Sequence, residues 1–179
     1  MNENVLEKVG IINSKATFDK LGKHRYVLER VWDKDSSKAM VSVVLFNPSY
    51  ANEILYDYTS MKVINYLINQ NKYRGVYILN LYSIITRKSE DVKSELKLAD
   101  IKENNNYIEL CFKKSKKIYI AWGSNEGNIR RVREIINILK NNKFNEVYKL
   151  VDKDGKSFHP SRCNIVDEES ISLESILDK

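Results

Sequence analysis

The sequence contains few of the residues that free or restrict the backbone: its 179 residues include only 6 glycines and 2 prolines. This scarcity excludes a collagen-like chain and a Gly- or Pro-rich low-complexity chain. Apolar residues make up 42% of the sequence, which is typical of a globular protein. At this length one core is expected, and we predict a single domain over residues 1–179.

Cysteine and histidine are also scarce, with two of each, at Cys111, Cys163, His24 and His159. The cysteines are far apart and form no CxxC pattern, so we predict free thiols rather than a disulfide. Metal sites need clusters of such ligands, and the sequence predicts neither a metal nor a cofactor.

No apolar run approaches the ~20 residues of a membrane helix. The segment 1–8 carries Glu3 and Glu7 and lacks the apolar stretch of a signal peptide. We therefore expect a cytoplasmic protein with no membrane partner. The phosphate-loop, GxGxxG, GxSxG and zinc-deaminase motifs are absent, which argues against those enzyme classes.

Lysine and arginine exceed aspartate and glutamate by 30 − 24 = +6. A positive excess favours an anionic partner such as nucleic acid or a nucleotide. The same excess is expected of a Lys-, Asn- and Ile-rich composition inherited from an AT-rich genome, and both interpretations stay open at this point.

Hydrophobic periodicity predicts strands that alternate with helices. The predicted strands are 25–32, 40–46, 76–82, 117–122 and 146–151, and the predicted helices begin near Asp57–Ser60, at Asn104 and at Ile129. The first strand alternates, with Tyr26, Leu28 and Trp32 expected on one side, whereas 40–46 is almost continuously apolar, as in a central parallel strand. Arg74-Gly75 is expected to end the helical pattern that begins near Asp57–Ser60. The acidic tail from Asp167 suits either a strand or a helix.

This order is the βαβ signature of an α/β fold. Right-handed crossovers then place helices on both faces of an open sheet. The prediction is a three-layer αβα sandwich around a mostly parallel four-stranded sheet, with an additional N-terminal strand or hairpin.

Ligands of open α/β sheets bind outside the carboxyl ends of the strands. Four segments rich in Asn, Ser and His occupy such positions, namely 47–52, 80–83, 122–127 and 158–161. We predict Asn47, Asp57 and His159 as catalytic residues. The predicted substrate contacts are Arg25, Arg30, Pro48, Ser49, Asn80, Tyr82, Trp122, Gly123 and Ser161.

Each of these residues also has a purely structural interpretation. Asn47 before Pro48 favours a turn, and Asp57 is a common type of helix cap. Arg25 and Arg30 would bind phosphate or pair with nearby acids. Trp122 is more often a core residue, and Gly123 suits a backbone turn. His159 has the alternative of hydrogen bonding within its own loop.

A family resemblance rests on six segments of the chain. They are Arg25, Tyr26, Leu28, Arg30 and Trp32; Leu45–Ser49; Asp57–Thr59; Asn80 and Leu81; Ala121–Gly123; and His159 and Pro160. In order and spacing they resemble the bacterial and phage proteins grouped as domain of unknown function 1643, from about Arg25 to Ser161.

More remotely, the order of the loops is similar to the uracil-DNA glycosylase superfamily, which has a four-stranded parallel sheet between helices. This resemblance implies that Asn47 holds the attacking water and that His159 stabilises charge on the departing base. It further implies that Asn80 or Tyr82 contacts the base. Ser49 stands where that superfamily usually has glycine, and Arg162-Cys163 follows where a DNA-wedge segment is expected.

The chemistry that follows is cleavage of a base N-glycosidic bond, with DNA, a nucleotide or a nucleobase as partner. Asn47 is a weak general base, and Asp57 is the nearest carboxylate. Tyr50, Tyr58 or Tyr82 would stack on a flipped base. A non-catalytic nucleotide-binding or nucleic-acid-binding module and a small-molecule hydrolase are the alternatives.

Overall fold

The computed structural model describes residues 5–86, 92, 98–124, 128–157 and 159–177. The strands are β1 (Asn13–Phe18), β2 (Arg25–Val31), β3 (Ala39–Leu45), β4 (Tyr73–Asn80), β5 (Lys117–Ile120), β6 (Glu146–Val151) and β7 (Asp167–Ser172). Within the described residues the α-helices are α1 (Tyr58–Asn69), α2 (Leu98–Lys113) and α3 (Ile129–Asn141). Short 3-10 turns follow at Pro160–Arg162 and Glu174–Ile176.

All seven strands form one mixed sheet in the order β1-β2-β4-β3-β5-β6-β7. The inner strands β4, β3, β5 and β6 are mutually parallel. The outer strands β1, β2 and β7 are antiparallel to their neighbours. The predicted count of four strands is therefore wrong for the sheet as a whole, although the four parallel strands lie where the apolar runs predict them. The N-terminal hairpin is β1–β2, and the acidic tail contributes β7, whose polar sequence carries little strand signal.

Helices cover both faces of the sheet, and successive side chains of the central strand β3 pack against them alternately. Val43 packs with Val63 and Leu67 of α1 on one face. Val44, the next residue, packs with Phe112 of α2 and Ile135 of α3 on the other face. Because both faces are covered, β3 is buried along nearly its whole length, as its apolar run predicts.

β2 differs from its prediction as a half-exposed strand, because it is buried over most of its length. Its pairing with β1 shifts register between Val27 and Arg25, so that Tyr26 lies in a bulge. Tyr26 therefore packs in the α2 face, while Leu28 and Trp32 pack in the α1 face. The prediction that all three share one side is wrong for this reason.

Gly75 lies inside β4, which begins at Tyr73 and not at the predicted start, Val76. A Cβ atom at this position would lie 2.5 Å from the backbone oxygen of Arg30 and 2.8 Å from Sδ of Met40. Glycine therefore permits the close approach of β2 and β3 on either side of β4.

Gly75→Ala is expected to lower the free energy of unfolding by about 1–3 kcal/mol, because the added methyl group overpacks this contact. Urea unfolding measures the change. Gly10→Ala is the matched control, since a Cβ there meets nothing within 4 Å, and its effect should stay within about 0.5 kcal/mol. Equal stability of the two variants would contradict the close approach.

Candidate functional site

A cleft of about 1110 Å³ opens at the carboxyl ends of the parallel strands. Its walls come from the segment after β3, the first turn of α1, the end of β5 and the segment after β6. Parallel strands end at the same sheet edge, so loops that are distant in sequence meet there. Eight of the predicted site residues line the cleft: Arg25, Asn47, Ser49, Asp57, Trp122, Gly123, His159 and Ser161.

Asn47 is held by its amide nitrogen. Nδ2 donates to the carbonyl of Pro48 at 3.1 Å and to Oγ1 of Thr86 at 3.0 Å. No hydrogen bond to its Oδ1 comes from the described part of the chain. Asn47 lines the cleft, and its Oδ1 keeps the acceptor capacity that is suitable for orienting a water molecule.

Asp57 combines the structural and the chemical interpretations made from sequence. Its carboxylate accepts from the backbone N–H of Ser60 at 2.6 Å and forms a capping box at the start of α1. It also accepts from the hydroxyl of Ser49. Burial raises the pKa of Asp57, but these hydrogen bonds and the nearby charge of Arg25 outweigh burial and hold the pKa below its ordinary value. The carboxylate is therefore ionised at neutral pH.

His159 is oriented by the residue two positions further along the chain. Its Nδ1 accepts from the hydroxyl of Ser161 at 2.8 Å and from the backbone N–H of Ser161 at 3.3 Å. Burial, followed by the charge of Arg162, lowers the pKa of His159, although Asp57 acts in the opposite direction. The neutral imidazole thus carries its proton on Nε2, which leaves an N–H donor for a ligand.

Gly123 lies directly against His159. Its φ of 88° is in the left-handed region, and an added Cβ would lie 3.6 Å from Cβ of His159. Glycine thus serves a backbone turn that brings the end of β5 beside the imidazole. Trp122, the preceding residue, belongs to the buried core on the α2 face as well as to the cleft wall.

Arg25 forms a buried charge at the base of the cleft and is only 2% exposed. It donates to the carbonyl of Ala51 at 2.7 Å and to Oδ1 of Asn80 at 3.3 Å. Burial lowers the pKa of Arg25 to about 10, with Asp57 opposing the shift, so the group stays positive at neutral pH. Nε of Arg25 and Nδ2 of Asn80 are buried donors that have no hydrogen-bond partner among the described residues.

The structure does not bring the other predicted contacts into the cleft wall. Asn80 is buried below it and Pro48 beside it. The hydroxyl of Tyr82 donates to Oδ1 of Asn128 at 3.0 Å, and its ring packs edge-on against Phe46. Arg30 is fully buried and donates to backbone carbonyls rather than contacting the cleft. Residues 125–127 and Phe158 of the predicted loops lie outside the described residues.

Several residues of the cleft wall were missed in the sequence. They are Phe46, Thr86, Asn128, Lys149, Lys156, Arg162 and Glu169, among others. Lys149, Lys156 and Arg162 make the cleft basic together with Arg25, against the carboxylates of Asp57 and Glu169. For Lys149, Lys156 and Arg162 the available signal was their position within or after β6, where only the strand, a turn and the segment 158–161 were recognised.

Among the described residues, no group of three His, Cys, Asp or Glu side chains is arranged to hold a metal ion. No helix in that part of the chain has the length and apolar character to span a membrane. Both cysteines are free thiols, as the sequence predicts.

The fold and the cleft together define a mixed α/β protein with a basic cleft at the carboxyl edge of its parallel strands. The chain belongs to the family described as Protein of unknown function (DUF1643), whose model matches residues 25–161. No curated protein and no solved structure matches the chain. The matched range begins at Arg25 and ends at Ser161, two residues that line the cleft.

The imidazole of His159 is expected to titrate below the ordinary histidine pKa, because burial and Arg162 disfavour its charged form. The chain has only two histidines, which makes an NMR titration simple to assign. Arg162→Gln should move the midpoint upward, towards the ordinary value. Arg130→Gln removes an equal charge from an exposed position on α3 and should leave the midpoint unchanged. A midpoint at or above the ordinary value would contradict the neutral donor.

Proposed function

We propose that this protein is a hydrolase that cleaves the N-glycosidic bond of a nucleotide or of a nucleotide residue in nucleic acid. The observation that carries the proposal is the convergence of Asn47, Asp57 and His159, from three separate segments, on one cleft. The three residues supply different groups. Asn47 supplies a hydrogen-bond acceptor, Asp57 an ionised carboxylate and His159 a neutral N–H donor.

In the proposed reaction a water oxygen forms a bond to the sugar C1′ while the bond from C1′ to the base nitrogen breaks. The bonding electrons leave with the base, and negative charge grows on its carbonyl oxygen. Oδ1 of Asn47 orients the water, and Asp57 takes its proton. Nε2–H of His159 donates to the oxygen of the departing base.

The architecture supports this proposal at the level of the fold. Four inner parallel strands between helices are what a uracil-DNA glycosylase-like protein would have, with β1, β2 and β7 as additional outer strands. The basic residues of the cleft support an anionic substrate, because phosphate is the charged group common to nucleotides and nucleic acids.

A non-catalytic binding module is the second candidate, and the geometry of Asp57 favours it. Both carboxylate oxygens already accept hydrogen bonds, one from Ser49 and the other from Ser60. A carboxylate occupied in this way is a poorer base for water. The same cleft would then hold a base or nucleotide without turnover.

Asp57→Asn separates the two candidates, because asparagine is as good a helix cap as aspartate but is not a base. We expect wild-type protein to release free base from a panel of DNA and nucleotides that carry uracil or other modified bases. The variant should release base about 10²–10⁴-fold more slowly. Chromatographic quantification of free base gives the rates, and thermal unfolding confirms that the variant is folded.

Asp35→Asn is the control, since this carboxylate lies in an exposed turn and should leave the rate unchanged. No base release by folded wild-type protein across the panel would refute the hydrolase. Binding that weakens with salt yet survives Asn47→Ala, without turnover, would establish the binding module instead.

A further inference from the structure

An exposed apolar rim borders the cleft on the side of α1. It consists of Tyr50, Ile54, Leu55, Tyr56 and Tyr58. Ile54 is 76% exposed and Leu55 is 59% exposed, and the three tyrosines are also exposed. Apolar side chains that are clustered in this way on the surface mark an interaction site more often than scattered ones do. Ser49 and Asp57, which line the cleft, flank most of this rim in the sequence.

The rim is held in place from beneath by a fully buried charge. Arg30 donates to the carbonyl of Asn52 at 2.6 Å and to that of Leu55 at 3.4 Å. Its guanidinium lies 4.6 Å from the centre of the Tyr56 ring. Oδ1 of Asn52 accepts from the backbone N–H groups of Ile54 and Leu55 at 2.9 and 2.8 Å. The exposed side chains are thus presented on an ordered backbone.

The rim is also next to the basic wall of the cleft. Nζ of Lys62 lies 4.2 Å from the centre of the Tyr58 ring. The same ammonium group donates to the carbonyl of Cys163 at 2.8 Å. Cys163 directly follows Arg162, so aromatic rings and cations adjoin one another at one edge of the cleft.

We propose that the rim is a docking surface for single-stranded nucleic acid, whose unpaired bases stack on its tyrosines while its phosphates face Lys156 and Arg162. Ordered aromatic side chains beside a basic groove are the combination that binds single strands. The preordered backbone limits the entropy lost on binding. This inference rests on the proposed function and narrows its substrate to a base within a polynucleotide, because a free nucleotide would fill the cleft and leave the rim uncovered.

The test compares binding of the full chain to labelled single-stranded DNA and RNA of about 12 nucleotides, which is within the length range of such sites. Fluorescence anisotropy gives the dissociation constants. The rim variant is Ile54→Ser, Leu55→Ser and Tyr58→Ala combined, and its exposed positions should leave the unfolding temperature nearly unchanged. The matched control is Leu110→Ser, which removes an exposed apolar side chain from α2, outside the residues that line the cleft.

We expect the wild-type protein to bind the single-stranded DNA, the single-stranded RNA or both. The rim variant should bind the same oligonucleotide about tenfold more weakly, because the loss of one stacked base has an effect of this size. The control should stay within about twofold of wild type. The affinity should fall as salt rises, because phosphate contacts release counterions.

Three results would overturn the docking surface. The first is no binding of either oligonucleotide, and the second is equal binding by the wild-type protein and the rim variant. The third is a rim variant in which only the oligomeric state, measured by sedimentation, changes; this would assign the rim to contact with a second copy of the chain. Strand binding that depends on the rim but without base release would refute the hydrolase alone. Base release from free nucleotides that is unaffected in the rim variant, without strand binding, would refute the docking surface alone.

Discussion

Two buried guanidinium groups support the loop on which the cleft depends. Arg25 and Arg30 both leave β2 on the α1 face and donate to backbone carbonyls between Ala51 and Leu55. Loss of these partners would leave a buried charge without hydrogen bonds and would lower the free energy of unfolding by several kcal/mol. The loop between β3 and α1 is therefore kept close to the sheet, with Ser49 at one end and Asp57 at the other.

The bulge in β2 is what makes this support possible. Residues five apart on a regular strand point to opposite faces of a sheet. The extra residue at Tyr26 reverses that relation, so Arg25 and Arg30 reach the same loop while Tyr26 stacks on Tyr107 on the other face, with ring centres 4.8 Å apart. One irregularity in an outer strand thus places the positive charge that helps to keep Asp57 ionised.

Asp57 and His159 have their pKa values lowered for different reasons, and the result is an anion beside a neutral donor. Hydrogen bonds and the charge of Arg25 keep Asp57 ionised, whereas burial and Arg162 keep His159 neutral. Because both pKa values are lowered on folding, both groups link stability to pH. The contribution of each group to the free energy of unfolding is fully present above its pKa in the unfolded chain, and it is lost as the pH falls through its lower pKa in the folded chain. Residues that start a helix and order a loop are in this way also the chemically distinctive groups of the cleft.

Local patterns in the sequence determined the four inner strands, the caps and periods of the helices, and the polar residues that follow each strand, because these depend on side chains near one another in the chain. Tertiary packing decided which of those residues meet. It directed Tyr82 to Asn128, placed Arg30 under the rim and Arg25 at the cleft, and brought Lys149, Lys156 and Arg162 to the wall. The edge strands β1 and β7, the bulge at Tyr26 and the position of Gly75 within β4 depend on pairing between distant segments. The hydrophobic period of a single segment carries no information about such pairing. For this reason only the folded chain shows which charged residues line the cleft and that the apolar rim borders it.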